Sequence, residues 1–163
     1  MTLKRSFPPV VDAGTRLLIC GSLPGDRSLA AQRYYAHPQN QFWRLLSPVV
    51  GLDLTALDYH DRLATLIEAH IGLWDVVASA TRPGSSDAAI RDHAPNDLER
   101  LATTLPDLQA IAFNGGTAQR IGIRAMDRYA GRYALVALPS SSPLHTIGIA
   151  AKQAAWAALR DYL

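Results

Sequence analysis

Cysteine is almost absent from this chain, since Cys20 is the only one among 163 residues. A single thiol excludes an intrachain disulfide, a paired-cysteine zinc site and a cysteine-ligated iron–sulfur cluster. No apolar run approaches the roughly 20 residues that a membrane helix needs. The first nine residues also lack the hydrophobic segment of a secretory signal. We therefore expect a soluble cytoplasmic protein with no metal, no cofactor and no membrane partner.

Lysine is nearly as scarce, because Lys4 and Lys152 are the only two and the other basic residues are arginines. The net charge of +2 excludes a strongly basic polyelectrolyte binder but leaves room for a local basic face. Arginine suits forked contacts to phosphate, although a compositional bias explains its frequency equally well. The length favours one domain, 1–163, and a hydrophobic content of 48% can bury a core.

Apolar runs and helical periodicities alternate along the chain. Strands are predicted at 16–20, 71–77, 108–113 and 133–138, and helices at 40–50, 59–70, 96–103, 116–126 and 147–163. Pro48 is expected to end its helix. The stretch 78–95 is predicted to be a long irregular loop of functional importance. The alternation predicts an α/β fold, a three-layer α/β/α arrangement around a central four-stranded, mainly parallel sheet.

Four segments with candidate functional residues each follow the end of a predicted strand. They are 21–25, Asp75 with the loop after it, 114–116, and 139–146. In parallel sheets, ligands bind beyond the carboxyl ends of the strands. The four segments should therefore meet at one edge of the sheet.

The first segment and the residues after it suit contact with a planar ring. Gly21 permits a sharp turn or a close backbone approach to a ligand, but the segment matches neither a P-loop nor a GxGxxG fingerprint. One of Tyr34 and Tyr35 is expected in the core, while the other could stack on a nucleobase. Asn40 suits either the N-cap of a helix or the positioning of a water molecule, because its amide both donates and accepts.

The middle of the chain offers a carboxylate and an arginine. Asp75 follows an apolar run, where it could serve a site or cap a loop or helix. Arg82, beside a proline and a glycine, could contact phosphate. Asp87 and Arg91 are interpreted as an ordinary solvated pair on a helix.

The serine-rich segment favours two different interpretations. Ser140–Ser142 near His145, with Asp75, could form a hydrolase triad, but the chain has no GxSxG elbow and a triad is defined by geometry. Pro139 and Pro143 stiffen the loop. A stiff loop with Leu144 at its tip suits insertion into a stack of bases, where apolar wedges are used.

Taken together, these motifs resemble those of the uracil-DNA glycosylase superfamily, and most of all its hypoxanthine (deoxyinosine) DNA glycosylase family. The resemblance rests on the loop 21–25, the His-Pro-x-Asn-x-Phe-Trp stretch at 37–43, the strand end at 74–77 and the Ser-Pro-Leu loop. Mismatch-specific uracil glycosylases share a similar His-Pro-x-Asn-x-Phe-Trp stretch. Many members place Asn or Asp where this chain has Leu23, whereas the hypoxanthine family has an apolar residue there. Uracil-specific enzymes often carry Asn at the position of Asp75.

The resemblance implies a role for each candidate residue. Asn40 would position the attacking water, Asp75 would read or polarise the base, and Ser140 occupies the position of the leaving-group histidine of classical uracil enzymes. Base contacts are implied for Gly21, Ser22, Leu23, Tyr35 as the stacking ring, and Asn114. DNA contacts are implied for Ser142, Pro143, Leu144 as the wedge, His145 and Arg82.

We therefore expect a monomeric, monofunctional glycosylase that flips a deaminated base, hypoxanthine above all, out of double-stranded DNA and hydrolyses its glycosidic bond. No lysine lies in the motifs to form a Schiff base, so no strand cleavage is expected. A uracil or G·T mismatch glycosylase of the same fold is one alternative. A non-catalytic lesion-binding module is the other, because Leu23 cannot activate water.

Overall fold

The computed structural model describes residues 2–163. Its strands are β1 Leu3–Arg5, β2 Leu17–Gly21, β3 Ile71–Asp75, β4 Val77–Thr81, β5 Arg91–Pro95, β6 Ala110–Asn114 and β7 Ala134–Leu138. Its α-helices are α1 Asp26–Ala31, α2 Phe42–Val50, α3 Tyr59–Glu68, α4 Leu98–Thr103, α5 Gly116–Met126 and α6 Ile149–Ala157. None of the helices within residues 2–163 combines the length and the apolar character needed to cross a bilayer.

The central sheet has the order β3-β2-β6-β7, and all its neighbouring strands run parallel. Leu17 and Ile19 of β2 face one core, which contains side chains of α2, α3 and α6. Leu18 and Cys20 face the other core, which contains side chains of α4 and α5. Burial on both faces explains why the strand is continuously apolar rather than alternating. The predicted three-layer α/β/α fold around a four-stranded parallel sheet is confirmed.

The strand β2 lies where the direction of winding changes. The chain passes from β2 to β3 on one side of β2, and later returns to add β6 on the other side of β2. In open parallel sheets, such a switch point leaves a crevice at the carboxyl ends of the two diverging strands. Gly21 and Asn114 end β2 and β6, so this crevice lies between two of the predicted segments.

Pro48 does not end its helix as expected. It lies inside α2, which continues to Val50 and ends at Gly51. Gly51 adopts the left-handed conformation, with φ of 80°, and its N–H donates to the Ser47 carbonyl. The helix therefore stops at the glycine, which satisfies a terminal carbonyl and has no Cβ to clash.

The stretch 78–95 is not irregular, and that prediction is wrong. Most of β4 and all of β5 lie in it, and they pair antiparallel in a second sheet of order β1-β4-β5. Every residue of β5 is exposed, so this strand has no apolar face that a pattern could reveal. Backbone pairing with β4 holds it in place, with register shifts along the ladder. We call the chain from β4 to β5 the hairpin; it begins two residues after β3 ends and therefore lies beside the carboxyl edge of the central sheet.

Candidate active site

A cavity of about 500 Å³ opens at the carboxyl edge of the central sheet. All four predicted segments line it, which confirms that they converge on one edge. The hairpin adds a wall through Ser85, Ser86, Asp87 and Ala88. The volume falls in the range of pockets that bind small organic molecules, so the cavity has room for a nucleobase.

Gly21 leaves open the space in which two polar groups meet. It pairs with Asp75 in the parallel register. A Cβ atom added at Gly21 would lie 2.8 Å from Asp75 Oδ1 and 3.0 Å from the Tyr35 hydroxyl oxygen. Any side chain at this position would therefore fill the gap between the carboxyl and phenol groups. The absence of a Cβ atom therefore lets these two side chains of the protein approach the strand end, and the predicted approach of a ligand at Gly21 stays a prediction.

Asp75 is a buried carboxyl group without a complete set of partners. Its side chain is only 4% exposed, and Oδ2 has no hydrogen-bond partner among residues 2–163. Burial raises the pKa of Asp75 to about 7, the charge of Asp87 raises it as well, and Arg82 opposes both. The group can therefore hold or release a proton near neutral pH, as candidate acids and bases in active sites do.

The two neighbouring tyrosines have different environments. Tyr34 is buried, and its hydroxyl donates to the Pro8 carbonyl. The ring of Tyr35 lines the cavity and is stacked on Phe42, with centroids 3.8 Å apart and planes 8° apart. Tyr35 also has a positive φ of 53°, a strained conformation for an aromatic residue. Tyr34 thus belongs to the core, as expected of one of the two, although both tyrosines border the cavity, and Phe42 and Trp43 are core residues.

Asn40 lies directly before α2 and borders the cavity. Its Oδ1 accepts a hydrogen bond of 3.0 Å from the Phe42 N–H, the first N–H of the helix, although the N-cap residue is Gln41. Its side chain also lines the cavity. No hydrogen bond from the described residues engages its amide nitrogen, which leaves a donor available to a ligand or a water molecule.

Asn114 holds the serine-rich loop rather than presenting a free donor to the cavity. Its Nδ2 donates to Ser141 Oγ at 2.8 Å and to the Tyr35 hydroxyl at 3.4 Å. Its Oδ1 accepts from the Ser141 N–H at 2.9 Å. Both amide hydrogens are thus directed at protein partners. Asn114 lines the cavity as predicted, but its geometry is that of a residue that fixes the positions of Ser141 and Tyr35.

The serine loop does not form a hydrolase triad. Ser141 Oγ is bonded to Asn114, while Ser140 Oγ and Ser142 Oγ accept from backbone N–H groups of Ser142 and Leu144. His145 is exposed, and among the described hydrogen bonds none joins it to a serine hydroxyl. The hydroxyls instead stabilise the loop itself, and Ser140 lines the cavity.

A buried lysine that the sequence analysis did not single out ties this loop to the Asn40 segment. Lys152 of α6 is fully buried, and Nζ donates to Gln41 Oε1 at 2.8 Å and to the Ser142 carbonyl at 3.0 Å. The Gln41 N–H also donates to the Ser141 carbonyl at 2.9 Å. Burial lowers the pKa of Lys152. The scarcity of lysine was the available signal, because a single lysine in an alanine-rich helix is compositionally unusual.

The tip of the serine loop projects into solvent. Leu144 is 76% exposed and Ile147 is 51% exposed, and Pro143 and His145 are exposed with them. Exposed large aliphatic side chains on a rigid loop are unusual and point to a surface that meets a partner. The predicted DNA-contacting residues Ser142, Pro143, Leu144 and His145 are thus brought together on one loop at the mouth of the cavity.

The predicted phosphate contact of Arg82 is corrected by the structure. Its side chain is only 2% exposed, and its guanidinium donates to the carbonyls of Leu23, Pro24 and Gly84. A buried guanidinium with these partners cannot reach a DNA backbone. Arg82 instead fixes the first loop, and with it Leu23, against the hairpin.

The interpretation of Asp87 and Arg91 as a helical surface pair is also wrong. Asp87 lines the cavity, and the Ser22 hydroxyl donates to Asp87 Oδ1 at 2.6 Å. Arg91 lies in β5 and donates to the carbonyls of Ala88 and Ile90. The sequence offered one signal for Asp87, namely its place in a long segment with no apolar periodicity, which is a frequent location of functional residues.

The cavity combines an aromatic ring, a buried carboxyl group and an apolar loop at the carboxyl edge of a parallel sheet, which is where α/β proteins bind their ligands. The family model described as the Uracil DNA glycosylase superfamily matches residues 8–160. The chain belongs to this superfamily.

Individual proteins are also similar to this chain over most of its length. The chain is 40% identical over 157 residues to a protein of Methanosarcina barkeri named Hypoxanthine DNA glycosylase, covering 94% of this chain and 96% of that protein. It is 42% identical over 142 residues to a protein of the same name from Methanosarcina acetivorans, covering 86% of this chain and 87% of the other. A solution NMR structure from Methanosarcina acetivorans, provisionally assigned as a uracil DNA glycosylase, matches with a TM-score of 0.86 and 39% identity over 98% of this chain and 97% of that one.

Proposed function

We propose that this protein is a monofunctional DNA glycosylase that excises hypoxanthine from double-stranded DNA in base excision repair. The observation that carries the proposal is the cavity beside Gly21, where the buried Asp75 carboxyl group, the Tyr35 ring and the apolar Leu23 surround one space. The similarity over nearly the whole chain to two proteins named Hypoxanthine DNA glycosylase supports the choice of base.

Access to the cavity requires the target nucleotide to leave the base stack. Flipping costs a few kcal/mol, and less at a mispair. Leu144, exposed at the mouth, would fill the space that the base vacates. One face of Tyr35 is covered by Phe42, so the base would stack on the opposite face. Such stacking contributes about 1–3 kcal/mol, enough to offset much of the cost of flipping.

Hydrolysis then needs a water at C1′ and a stabilised leaving base. Asn40 faces the cavity with an unengaged amide nitrogen, and it would hold the water below the sugar. A strong base is unnecessary, because the oxocarbenium-like sugar is itself a powerful electrophile. Asp75 would bond to the base edge and favour its departure. Ser140, where classical uracil enzymes keep a histidine, would line the wall beside the sugar.

The positions of the residues around the cavity also suggest which of them would contact the DNA backbone and the rest of the base. Ser142, Pro143 and His145 would approach the strand beside Leu144. Gly21 and Ser22 would contact the base through their backbone, and Leu23 would give it an apolar wall. Arg82 takes no direct part in this scheme.

Abasic-site formation on a panel of duplexes tests the proposal. Each duplex carries one hypoxanthine, uracil, xanthine or mispaired thymine, and the undamaged duplex is the control. We expect excision of hypoxanthine to be fastest and no strand cleavage until the abasic site is treated with alkali. Uracil or G·T excision at a matching or higher rate would favour the uracil-type alternative. Tight binding to modified DNA without base release would identify a lesion-binding module.

We further propose that the protein acts as a monomer of one domain, 1–163, in the cytoplasm. Wedge, stacking ring and cavity all come from one chain, so no second copy is needed to complete the site. Sedimentation of the protein bound to a single-lesion duplex tests this, and a complex of two chains per duplex would contradict it.

A further inference from the structure

Asp87 brings a second carboxyl group to the cavity from outside the four strand-end segments. It begins a short 3₁₀ turn, Asp87–Ala89, within the hairpin. It is joined to the first loop by the 2.6 Å hydrogen bond from Ser22 Oγ. Ser22 directly follows Gly21, the register partner of Asp75. Asp75 and Asp87 therefore face one cavity, one from the end of β3 and one from the hairpin.

The protein supplies a hydrogen-bond donor to only one of these two carboxyl groups. Asp87 accepts from Ser22, whereas Asp75 Oδ2 is buried without a partner within residues 2–163. Arg82 lies near both groups, but its described hydrogen bonds go to backbone carbonyls rather than to either carboxylate. A buried carboxylate without donors is costly. Asp75 therefore favours either a bound proton or a ligand that supplies an N–H group.

We propose that Asp87 is a second base-facing carboxyl group, which acts together with a protonated Asp75 to select a purine lactam over an aminopurine. The inference deepens the proposed glycosylase function and rests on it. A lactam ring carries an N–H beside a carbonyl, so an ionised carboxylate accepts from the N–H while the protonated partner donates to the ring. Adenine presents a lone pair at the nitrogen where hypoxanthine carries hydrogen, and a carboxylate repels that lone pair.

The proton on Asp75 also has a use in the reaction. The Asp75 carboxyl group gives its proton to N7 of the purine as the C1′–N9 bond breaks and the bonding electron pair moves into the ring. Hypoxanthine thus leaves as a neutral base. The oxygen of a water molecule bonds to C1′, and the proton that this water loses restores the Asp75 carboxyl group through solvent. One water is consumed in each turnover, and Asp87 acts as a positioning residue.

The charges around Asp75 set the direction of the pH dependence. Asp87 raises the pKa of Asp75 and Arg82 lowers it. Burial raises the pKa of Asp87 itself, and the bond from Ser22, Arg82 and Arg120 oppose this effect. The other titratable groups coupled to Asp75 stay neutral at pH 7, because burial raises their pKa: Cys20, Tyr34 and Tyr35. Removing the Asp87 charge must therefore lower the pKa of Asp75 and shift loss of its proton to lower pH.

Single-turnover excision of hypoxanthine as a function of pH tests the proposal, with Asp87→Asn compared with Asp92→Asn. Asp92 is an exposed residue of β5 outside the cavity, so its variant makes the same change in net charge on the same hairpin. In Asp87→Asn we expect the alkaline limb to move down by about one pH unit, the size typical of a neighbouring like charge. The rate would then fall about tenfold at pH 8 and change little near pH 5.5. Asp92→Asn and the charge-conserving Asp87→Glu should keep the wild-type limb.

Two further readouts separate the outcomes. The ¹³C chemical shift of the Asp75 carboxyl group, titrated without DNA, should show the same downward displacement in Asp87→Asn. Binding to uncleavable 2′-fluoro nucleotides should show a preference for inosine over adenosine that falls about tenfold in this variant, equivalent to ~1.4 kcal/mol. An unmoved ¹³C titration or an unchanged preference would overturn the proposal. A wild-type protein that releases no hypoxanthine would instead refute the proposed function, while the ¹³C titration still decides whether Asp87 acts on the protonation of Asp75.

Discussion

Asn40 has one observed role, at the start of α2, and one proposed role, in holding the attacking water, and two substitutions can separate them. Its Oδ1 accepts the Phe42 N–H at the start of α2, and its amide also faces the cavity. Asn40→Ala removes both the acceptor at the helix start and the group that would hold water. Asn40→Asp keeps an oxygen acceptor at the helix start and replaces only the amide nitrogen.

The effect on stability follows from the hydrogen bond that Asn40 accepts at the start of α2. Losing one such hydrogen bond costs about 1 kcal/mol, which in a protein of this size lowers Tm by about 2–4 °C. Asn40→Asp should keep the wild-type Tm or exceed it slightly, because a negative charge is favourable at a helix N-terminus. Asp58→Ala is a matched control, since Asp58 caps α3 through the Asp61 N–H and lies outside the cavity.

The effect on excision is expected to be separate from the effect on stability. Fixing a reactant in place can supply several kcal/mol of barrier reduction. Asn40→Ala should lower the single-turnover rate at least about tenfold, equivalent to ~1.4 kcal/mol. Asn40→Asp should retain part of the activity, because a carboxylate can also hold the water. DNA affinity should change little in both, and Asp58→Ala should lower Tm without lowering the rate.

The assay combines single-turnover excision from a hypoxanthine duplex, DNA titration by fluorescence anisotropy, and thermal unfolding. A wild-type excision rate in Asn40→Ala would refute the reasoning, since another group would then position the water. A rate loss in Asp58→Ala equal to that in Asn40→Ala would show that excision follows stability alone.

Three further predictions concern the remaining groups of the site. Because burial raises the pKa of Asp75 from 3.8 to about 7, its contribution to stability is full below about pH 4 and is lost as pH rises to about 7, by up to about 4 kcal/mol. In Asp75→Asn, the free energy of unfolding measured in urea should vary less with pH across this range, and base release should be strongly reduced. An unchanged pH profile of stability in this variant would contradict the inference that Asp75 is buried without a partner. Leu144→Ala should slow excision most from well-paired duplexes and least from weak mispairs or single strands. Ile147→Ala, on the same loop, is the control that tests whether any exposed aliphatic residue has this effect. Equal losses of rate on all substrates in Leu144→Ala would exclude a wedge. Arg82→Met should lower the free energy of unfolding by about 3 kcal/mol, since three carbonyls lose their donor. The salt dependence of DNA binding should stay unchanged, because Arg82 does not contact phosphate. A shallower salt dependence in this variant would show that Arg82 does contact the DNA backbone.

The sequence by itself determined the central sheet and the edge at which the site lies. The run from Leu17 to Cys20 is apolar at every position because β2 is covered on both faces. Such a run identifies a parallel strand without knowledge of its neighbours. Once the strands were placed, chain direction alone required Gly21, Asp75 and Asn114 to lie at the same edge. Residue types also predicted different properties for three parts of the site: a turn at Gly21, an ionisable group at Asp75 and a stiff loop around Leu144.

Only the tertiary structure decided what each polar side chain does at that edge. The sequence allows Asn40 to stabilise a helix start or to hold a water molecule. In the fold it accepts the first N–H of α2 and also borders the cavity. Arg82 reads as a phosphate ligand, but the fold buries it against three carbonyls. Leu23 and Pro24, which hold the guanidinium of Arg82, lie far away in sequence, so no local pattern specifies these partners.

The hairpin shows the physical reason most clearly. Its strand β5 buries no side chain, so neither amphipathic alternation nor an apolar run marks it. Its position depends on backbone hydrogen bonds to β4, which in turn pairs with β1 from the other end of the chain. These long-range pairings bring Asp87 into the cavity, within reach of Ser22. Local residue patterns predict which surfaces must be buried, whereas the contacts between distant segments are settled only when the whole chain packs.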